Sequence, residues 1–348
     1  MTSSIGGNLF AWDTRLPLRP SLKRTTWKTI FLFRSSHRSI FSNLLFYTSL
    51  FIMLLPGLLL SLLAASPVLA DFHCDSTVVA GSDTALQSLR RLHRRQDAPA
   101  PPSTPLYVHV VAGSTSRADG YLSEQEVVGQ VSQIQSLFAP HGITFTHTSA
   151  MRTWSVNSSW AGASRDNFNE MKEALHKGDY RSLNLYIRNI TLADYGGTCT
   201  NPWTAEEISH IPFPTRLLRD GCIVNTLSLP GSSHSFMNQG KTAVHEIGHW
   251  FGLFHTFEDQ GIRDGVNPPN PCWSGNPDDD VVDTPKMRNV GTGVCNKTQN
   301  SCAEPAGQNP IYDPVENYMS YSSDSCMDRF TEGQRVRMWA IYDKYRRE

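Results

Sequence analysis

Excess charge of either sign is missing from this chain. Its 31 Lys and Arg against 32 Asp and Glu leave a net charge of −1 over 348 residues, which excludes a basic nucleic-acid binder and a polyanionic tail. With 18 % charged and 39 % hydrophobic residues, the chain has the composition of a folded globular protein. A G-x-S-x-G elbow is absent, which disfavours serine hydrolysis, and there is no internal repeat. Cysteine is scarce in the first 198 residues, where Cys74 stands alone. Acidic residues are scarce in the first 95, which hold 4 against 11 basic ones, whereas residues 96–348 hold 28 against 20. A junction near residue 95 therefore separates two kinds of chain.

One long hydrophobic run is present. Residues 44–65 carry no charge, follow a basic segment from Arg15 to Arg38, and lead to Val68-Leu69-Ala70, a small-x-small pattern of the kind signal peptidase cleaves. The run is long enough to span a bilayer, so a membrane anchor competes with a signal peptide. Pro56-Gly57 in its middle and the cleavage-like end favour the signal peptide. A start at Met53 would leave a compact signal sequence. The expected organisation is an N-terminal extension and signal peptide over 1–70, a segment over 71–95, and one folded domain over 96–348. Segment 71–95 ends at the paired Arg94-Arg95 and reads as a pro-segment or as an ordinary disordered N-terminus. Export suits the remaining cysteines: Cys199, Cys222, Cys272, Cys295, Cys302 and Cys326 read as three disulfides whose pairing spacing alone does not settle. Glycosylation sequons stand at Asn157, Asn189 and Asn296.

Within the domain, Tyr107–Ala112 reads as a strand. Ser123 and Glu126 form a capping box that opens an amphipathic run ending before Pro140. Ile143–His147 reads as a strand, Asn167–Lys177 as a helix stopped by Gly178, and Leu183–Ile187 as a strand. This alternation predicts an α+β domain with an α/β-like front. Residues 259–314 are rich in Asp, Asn, Pro and Gly, a length of loop that needs staples. Thr331 and Gln334 cap a final helix.

The chemistry concentrates in His245-Glu246-Ile-Gly-His249-Trp-Phe-Gly252-Leu-Phe-His255. Histidines at i and i+4 share a helical face, so one ion can touch both rings. Glu246 stands beside that face, where it can take a proton from a water on the ion. Gly252 permits the turn that brings His255 round as a third nitrogen ligand. Three neutral histidines leave a fourth position open, the pattern of a catalytic zinc. Isolated histidines such as His109, His147 and His234 read as ordinary strand or loop residues.

The motif resembles the extended zinc signature of the metzincin metalloproteases, and Asn317-Tyr318-Met319-Ser320-Tyr321 looks like their Met-turn. Together with Asp283-Thr284-Pro285 and the segment following Ser325, it is similar to the pappalysin family, in particular its secreted fungal-type members. The resemblance covers roughly residues 105–345. It implies a twisted mixed sheet with two long helices, then an irregular, disulfide-stapled subdomain ending in a helix, with the cleft between. Met319 would floor the three imidazoles, and Tyr321 would hydrogen-bond the tetrahedral intermediate. The implied disulfides are Cys272–Cys302 and Cys295–Cys326, with Cys199 and Cys222 then left to each other. Cys74 would correspond to a latency switch, although the glycine expected after it is Asp75. Pappalysin-like enzymes carry calcium near the Asp-Thr-Pro segment, so Asp278, Asp279, Asp280 and Asp283 are candidate ligands; a solvated acidic loop is the competing reading. The expectation is a secreted zinc endopeptidase acting on protein or peptide substrates. It has no nucleic-acid partner and no lasting membrane association, and its oligomeric state carries no signature. A membrane-tethered protease and an inactive metzincin-like binding protein are the alternatives; the second would be expected to lack Glu246 or a ligand, and all are present.

Overall fold

Strand β1 (Ser103–Ala112) is the axis of the domain: Leu106, Val108, Val110, Val111 and Ala112 are all buried. A run apolar on both faces belongs in the middle of a parallel sheet covered on two sides. In the computed structural model, which describes residues 101–162, 167–190, 196–202, 211–257, 272, 279–302 and 311–347, that is its position. The hydrophobic run 44–65 and its cleavage-like end, Cys74, Arg94-Arg95 and Asp278 lie outside the described residues.

Along one edge, β1 pairs in parallel with β2 (Thr144–Thr146) and then β3 (Arg152–Val156). Along the other it pairs in parallel with β4 (Leu183–Arg188), in register Val108 to Leu185. Beyond β4 lies β6 (Cys222–Asn225), parallel to it, and beyond that β5 (Gly197–Cys199), antiparallel to β6 and last in the sheet. Among the described residues the mixed sheet thus has a single antiparallel strand, at its end.

The helices divide between the two faces. On one face lie α1 (Glu124–Phe138), which opens with the capping box between Ser123 and Glu126, and α5 (Lys241–Trp250). Val127, Val131, Ile134 and Phe138 of α1 join Leu106, Val108, Leu185 and Val224 in the main core, which Val244 and Ile247 of α5 complete. The short α2 (Ser158–Ala161) and α3 (Phe168–Leu175) cover Val111, Tyr186 and Ile223 on the other face. Helix α4 (Phe213–Leu218) precedes β6. After α5, the described chain has no further α-helix or strand until α6 (Glu332–Tyr345). Disulfides join Cys272 to Cys302 and Cys295 to Cys326 in that stretch, and Cys199 to Cys222 across the paired strands β5 and β6.

Strands β3, β5 and β6 and helices α2 and α4 were not anticipated: Arg152–Val156 is half exposed and carries no clear alternation, and β5 and β6 are only three and four residues long. Helix α3 ends at Leu175, sooner than the pattern suggests, because His176 is already extended at ψ 139. No described helix is long and apolar enough to cross a membrane.

Candidate metal centre

Helix α5 supplies the first two histidines, and its end supplies the third. Gly252 takes φ +86, and Leu253 N–H donates to Gly248 O at 2.9 Å while Gly252 N–H donates to His249 O at 2.8 Å. This is a Schellman turn, which needs a left-handed residue just past the helix. It reverses the chain and returns His255 to the face that carries His245 and His249. Nε2 of His249 lies 3.2 Å from Nε2 of His245 and 3.1 Å from Nε2 of His255. Among the described residues these three form the one group of His, Cys, Asp or Glu side chains able to share an ion.

Backbone carbonyls orient the rings. His245 Nδ1 lies 2.7 Å from Tyr318 O, and His249 Nδ1 lies 2.8 Å from Leu253 O. A carbonyl only accepts, so both Nδ1 atoms carry the proton and both Nε2 lone pairs face the common point. All three rings are at most 5 % exposed. Burial, with neighbouring His255 second, pushes the His245 imidazole down to about 3, so it is neutral at ordinary pH, as a ligand must be.

Met319 is fully buried against helix α5. A Cβ at Gly248 would collide with its Sδ, so glycine is what lets the sulfur reach the helix surface between the two histidines. Tyr321 stands beside the group, its ring centroid 4.9 Å from His255 and 5.7 Å from His245. Glu246 is fully buried. A Cβ at Gly197 would fall 2.7 Å from its Oε1, so the end strand β5 meets the carboxylate with bare backbone. Gly197 was missed in the sequence, although the Gly196-Gly197 pair signals close backbone approach.

A recess beside the histidines is lined by Met237, Thr242, His245, Glu246, Tyr321 and Asp324, among others. Asp324 had no sequence signal at all. Its Oδ2 accepts from Gln239 N–H at 2.7 Å, its Oδ1 has no hydrogen-bond partner among the described residues, and burial pushes its carboxyl up to about 6. Lys241 Nζ donates to the Asp324 and Met327 carbonyls, not to the carboxylate.

Of the four candidate calcium ligands, Asp278 lies outside the described residues, and the other three make separate contacts. Both oxygens of Asp283 are engaged at the start of α6, accepting from Thr331 Oγ1 and Gly333 N–H at 2.8 Å each; orphan donors at a helix N-terminus attract a carboxylate. Asp279 is buried, accepts from Val281 N–H, and has its carboxyl pushed up to about 8 by that burial. Asp280 instead faces Arg337 at 4.0 Å. Of the sequon asparagines, Asn157 caps α2 and Asn189 donates to Ala118 O, whereas Asn296 is exposed and receives the Thr298 hydroxyl at 2.9 Å. His109 and His147 are fixed by Thr153 and Asn184 and by Leu106 O and Arg152, away from the metal centre.

Comparison with known proteins adds an independent line. The family model Peptidase_M43, described as pregnancy-associated plasma protein-A, matches residues 169–343. An extracellular metalloprotease of Podospora anserina is 41 % identical over 247 residues, covering 70 % of this chain and 74 % of the relative. Extracellular metalloprotease 1 of Coccidioides posadasii is 41 % identical over 253 residues, covering 72 % and 80 %. Among solved structures, mirolysin in complex with compound 9 aligns with a TM-score of 0.53 at 22 % identity, covering 70 % of this chain and 92 % of that one. A Tannerella forsythia promirolysin mutant gives 0.53 at 23 %, covering 76 % and 87 %. At such identity the likeness is one of fold.

Proposed function

The chain belongs to the Peptidase_M43 family of metalloproteases, and on that premise we propose that it is a secreted zinc endopeptidase in which Glu246 moves the protons of peptide hydrolysis. The observation that carries this reading is the histidine triad. Zinc–nitrogen bonds of about 2.0–2.1 Å in a tetrahedral set place nitrogens roughly 3.3 Å apart, and the Nε2 atoms stand 3.1 and 3.2 Å from that of His249. A buried set in which backbone carbonyls hold two of the three rings therefore fits zinc. When bound, zinc supplies an acidified water and a Lewis acid for the scissile carbonyl.

The protein's own groups do the rest. Glu246 lines the same recess as His245; there it takes the proton of the attacking water and delivers it to the leaving amine nitrogen. Tyr321, beside the rings, steadies the developing oxyanion. Strand β5 ends the described sheet next to Glu246, so an extended substrate can pair with it by strand addition. The recess carries the Asp324 carboxylate with an oxygen unclaimed among described residues, which favours a cationic side chain next to the scissile bond. Secretion is supported by the three disulfides and by relatives named as extracellular metalloproteases.

Metal analysis and protein-substrate cleavage on the wild type and Glu246→Gln test this. The variant is expected to retain a full equivalent of zinc and to lose activity by about 10²–10⁴-fold. Metal-free variant protein would make Glu246 a ligand instead, and undiminished cleavage would remove it from the reaction.

A further inference from the structure

Helix α6 touches the metal centre at two separated points. At its N-terminus the buried amides of Gln334 and Asn317 form a reciprocal pair: Asn317 Nδ2 donates to Gln334 Oε1 at 2.8 Å, and Gln334 Nε2 donates to Asn317 Oδ1 at 3.0 Å. Asn317 Oδ1 also accepts from Met319 N–H at 2.9 Å, so its side chain closes the turn whose Tyr318 carbonyl receives His245 Nδ1–H. Gln334 is itself fixed, because its Oε1 accepts from Thr331 N–H and its own N–H donates to Thr331 Oγ1, the hydroxyl that Asp283 holds. Each amide oxygen accepts two bonds and each amide nitrogen donates one, which ties the turn to the start of the helix.

One turn further along, Arg337 Nε donates to Gly252 O at 2.7 Å. A Cβ at Gly252 would lie 2.7 Å from Ile341 Cγ2 of the same helix. Near its end, Arg346 Nε donates to Trp250 O at 3.0 Å. These contacts hold the reversal after α5, whose Leu253 carbonyl orients His249 and whose continuation carries His255.

Resting on the reading of the three histidines as zinc ligands, we propose that Gln334 and Arg337 are positioning residues of the metal centre. Gln334 holds the turn carbonyl that aims His245, and Arg337 holds the reversal that aims His249 and delivers His255. Neither touches a ligand side chain. Each acts through a backbone carbonyl or backbone turn, the outer layer that tunes metal affinity.

The test is zinc competition with a fluorescent chelator at near-neutral pH on the secreted protein, alongside the melting temperature of each metal-free form. Trp339→Ala is the control: it lies on α6 but packs on Gly142 and donates to His141 O, away from both contacts. Gln334→Ala and Arg337→Gln are expected to weaken zinc about 10–100-fold, whereas Trp339→Ala lowers the melting temperature and leaves zinc affinity within about twofold. Arg337→Lys, which keeps a donor for Gly252 O, is expected to recover most of the affinity. Should either first variant fail to fold, Gln334→Glu, which keeps the acceptor for Thr331 and loses the donor to Asn317, must still weaken zinc. Unchanged affinity in the positioning variants, or an equal loss in Trp339→Ala, would overturn the proposal. Wild-type protein that holds no zinc would overturn the ligand reading and this proposal with it.

Discussion

Between residues 101 and 257 the described chain is ordered by periodic burial: strands apolar on both faces, and helices whose buried stripes pack on them. Between 279 and 331 the means are different. The regular backbone pairing there reduces, among described residues, to an isolated bridge between Asn317 and Arg329, and order comes from disulfides and from side chains bonded to backbone, such as Ser301 N–H on Asp313. The first region supplies the histidine cluster, His245, His249 and His255, and the buried Glu246. The second supplies Tyr318 O, Met319 and Tyr321, which orient and enclose them. A region that adapts to another surface can afford irregular backbone, provided covalent and polar ties hold it there.

After Glu246→Gln, the largest expected effect bears on those ties. Replacing Cys295 and Cys326 together by serine should lower unfolding free energy by about 2–5 kcal/mol, and replacing Cys199 and Cys222 should fall at the low end of that range, near ~2 kcal/mol. The loops are similar, at 31 and 23 residues, so loop entropy alone predicts near equality; the difference comes from β5 and β6 being hydrogen-bonded without their disulfide. Urea unfolding of both pairs checks this, and a larger loss at Cys199–Cys222 would break the contrast.

The sheet region should show its own sensitivity, to acid. Burial lowers the His109 imidazole to about 4, with Asn184 and Thr153 on its nitrogens, Tyr186 stacked on it, and His176 and Lys177 adding repulsion. The folded pKa lies below the unfolded one, so there is no penalty above pH 6.5. As pH falls from 6.5 towards 4 the unfolded state gains a proton that the folded state resists, and stability drops by roughly 3 kcal/mol. His109→Gln should remove that portion of the pH slope, measured by urea unfolding at pH 7 and 4.5 with zinc saturating; an unchanged slope would clear His109 of the role.

The smallest effect is one of selectivity. Asp324→Asn should reduce cleavage beside Lys or Arg by about tenfold relative to cleavage beside Leu, the worth of one charged hydrogen bond. A peptide-library profile reads it, and an unaltered profile would place the cationic side chain elsewhere.

Much of the regular structure was legible because its instructions are local. The capping boxes at Ser123 and Thr331, the apolar run of β1 and the i, i+4 histidines each act within a few residues. The turn at Gly252 was legible for the same reason. Strand β3 was not, since a half-exposed edge strand is defined by its neighbour and not by its own alternation.

By itself, then, the sequence determined which side chains can meet at the metal: helical periodicity puts His245 and His249 on one face, and a glycine with no Cβ returns His255 to them. Only the tertiary structure decided which way those rings point and what surrounds them. The acceptor for His245 is 73 residues away, the Gln334 partner of the Asn317 turn is 17 residues from Asn317, and Asp283, a candidate cation ligand by sequence, meets a helix start 48 to 50 residues on. The reason is physical: a backbone carbonyl is the same group at every position, so its role as an acceptor is set by where the folded chain places it and not by the residue that bears it.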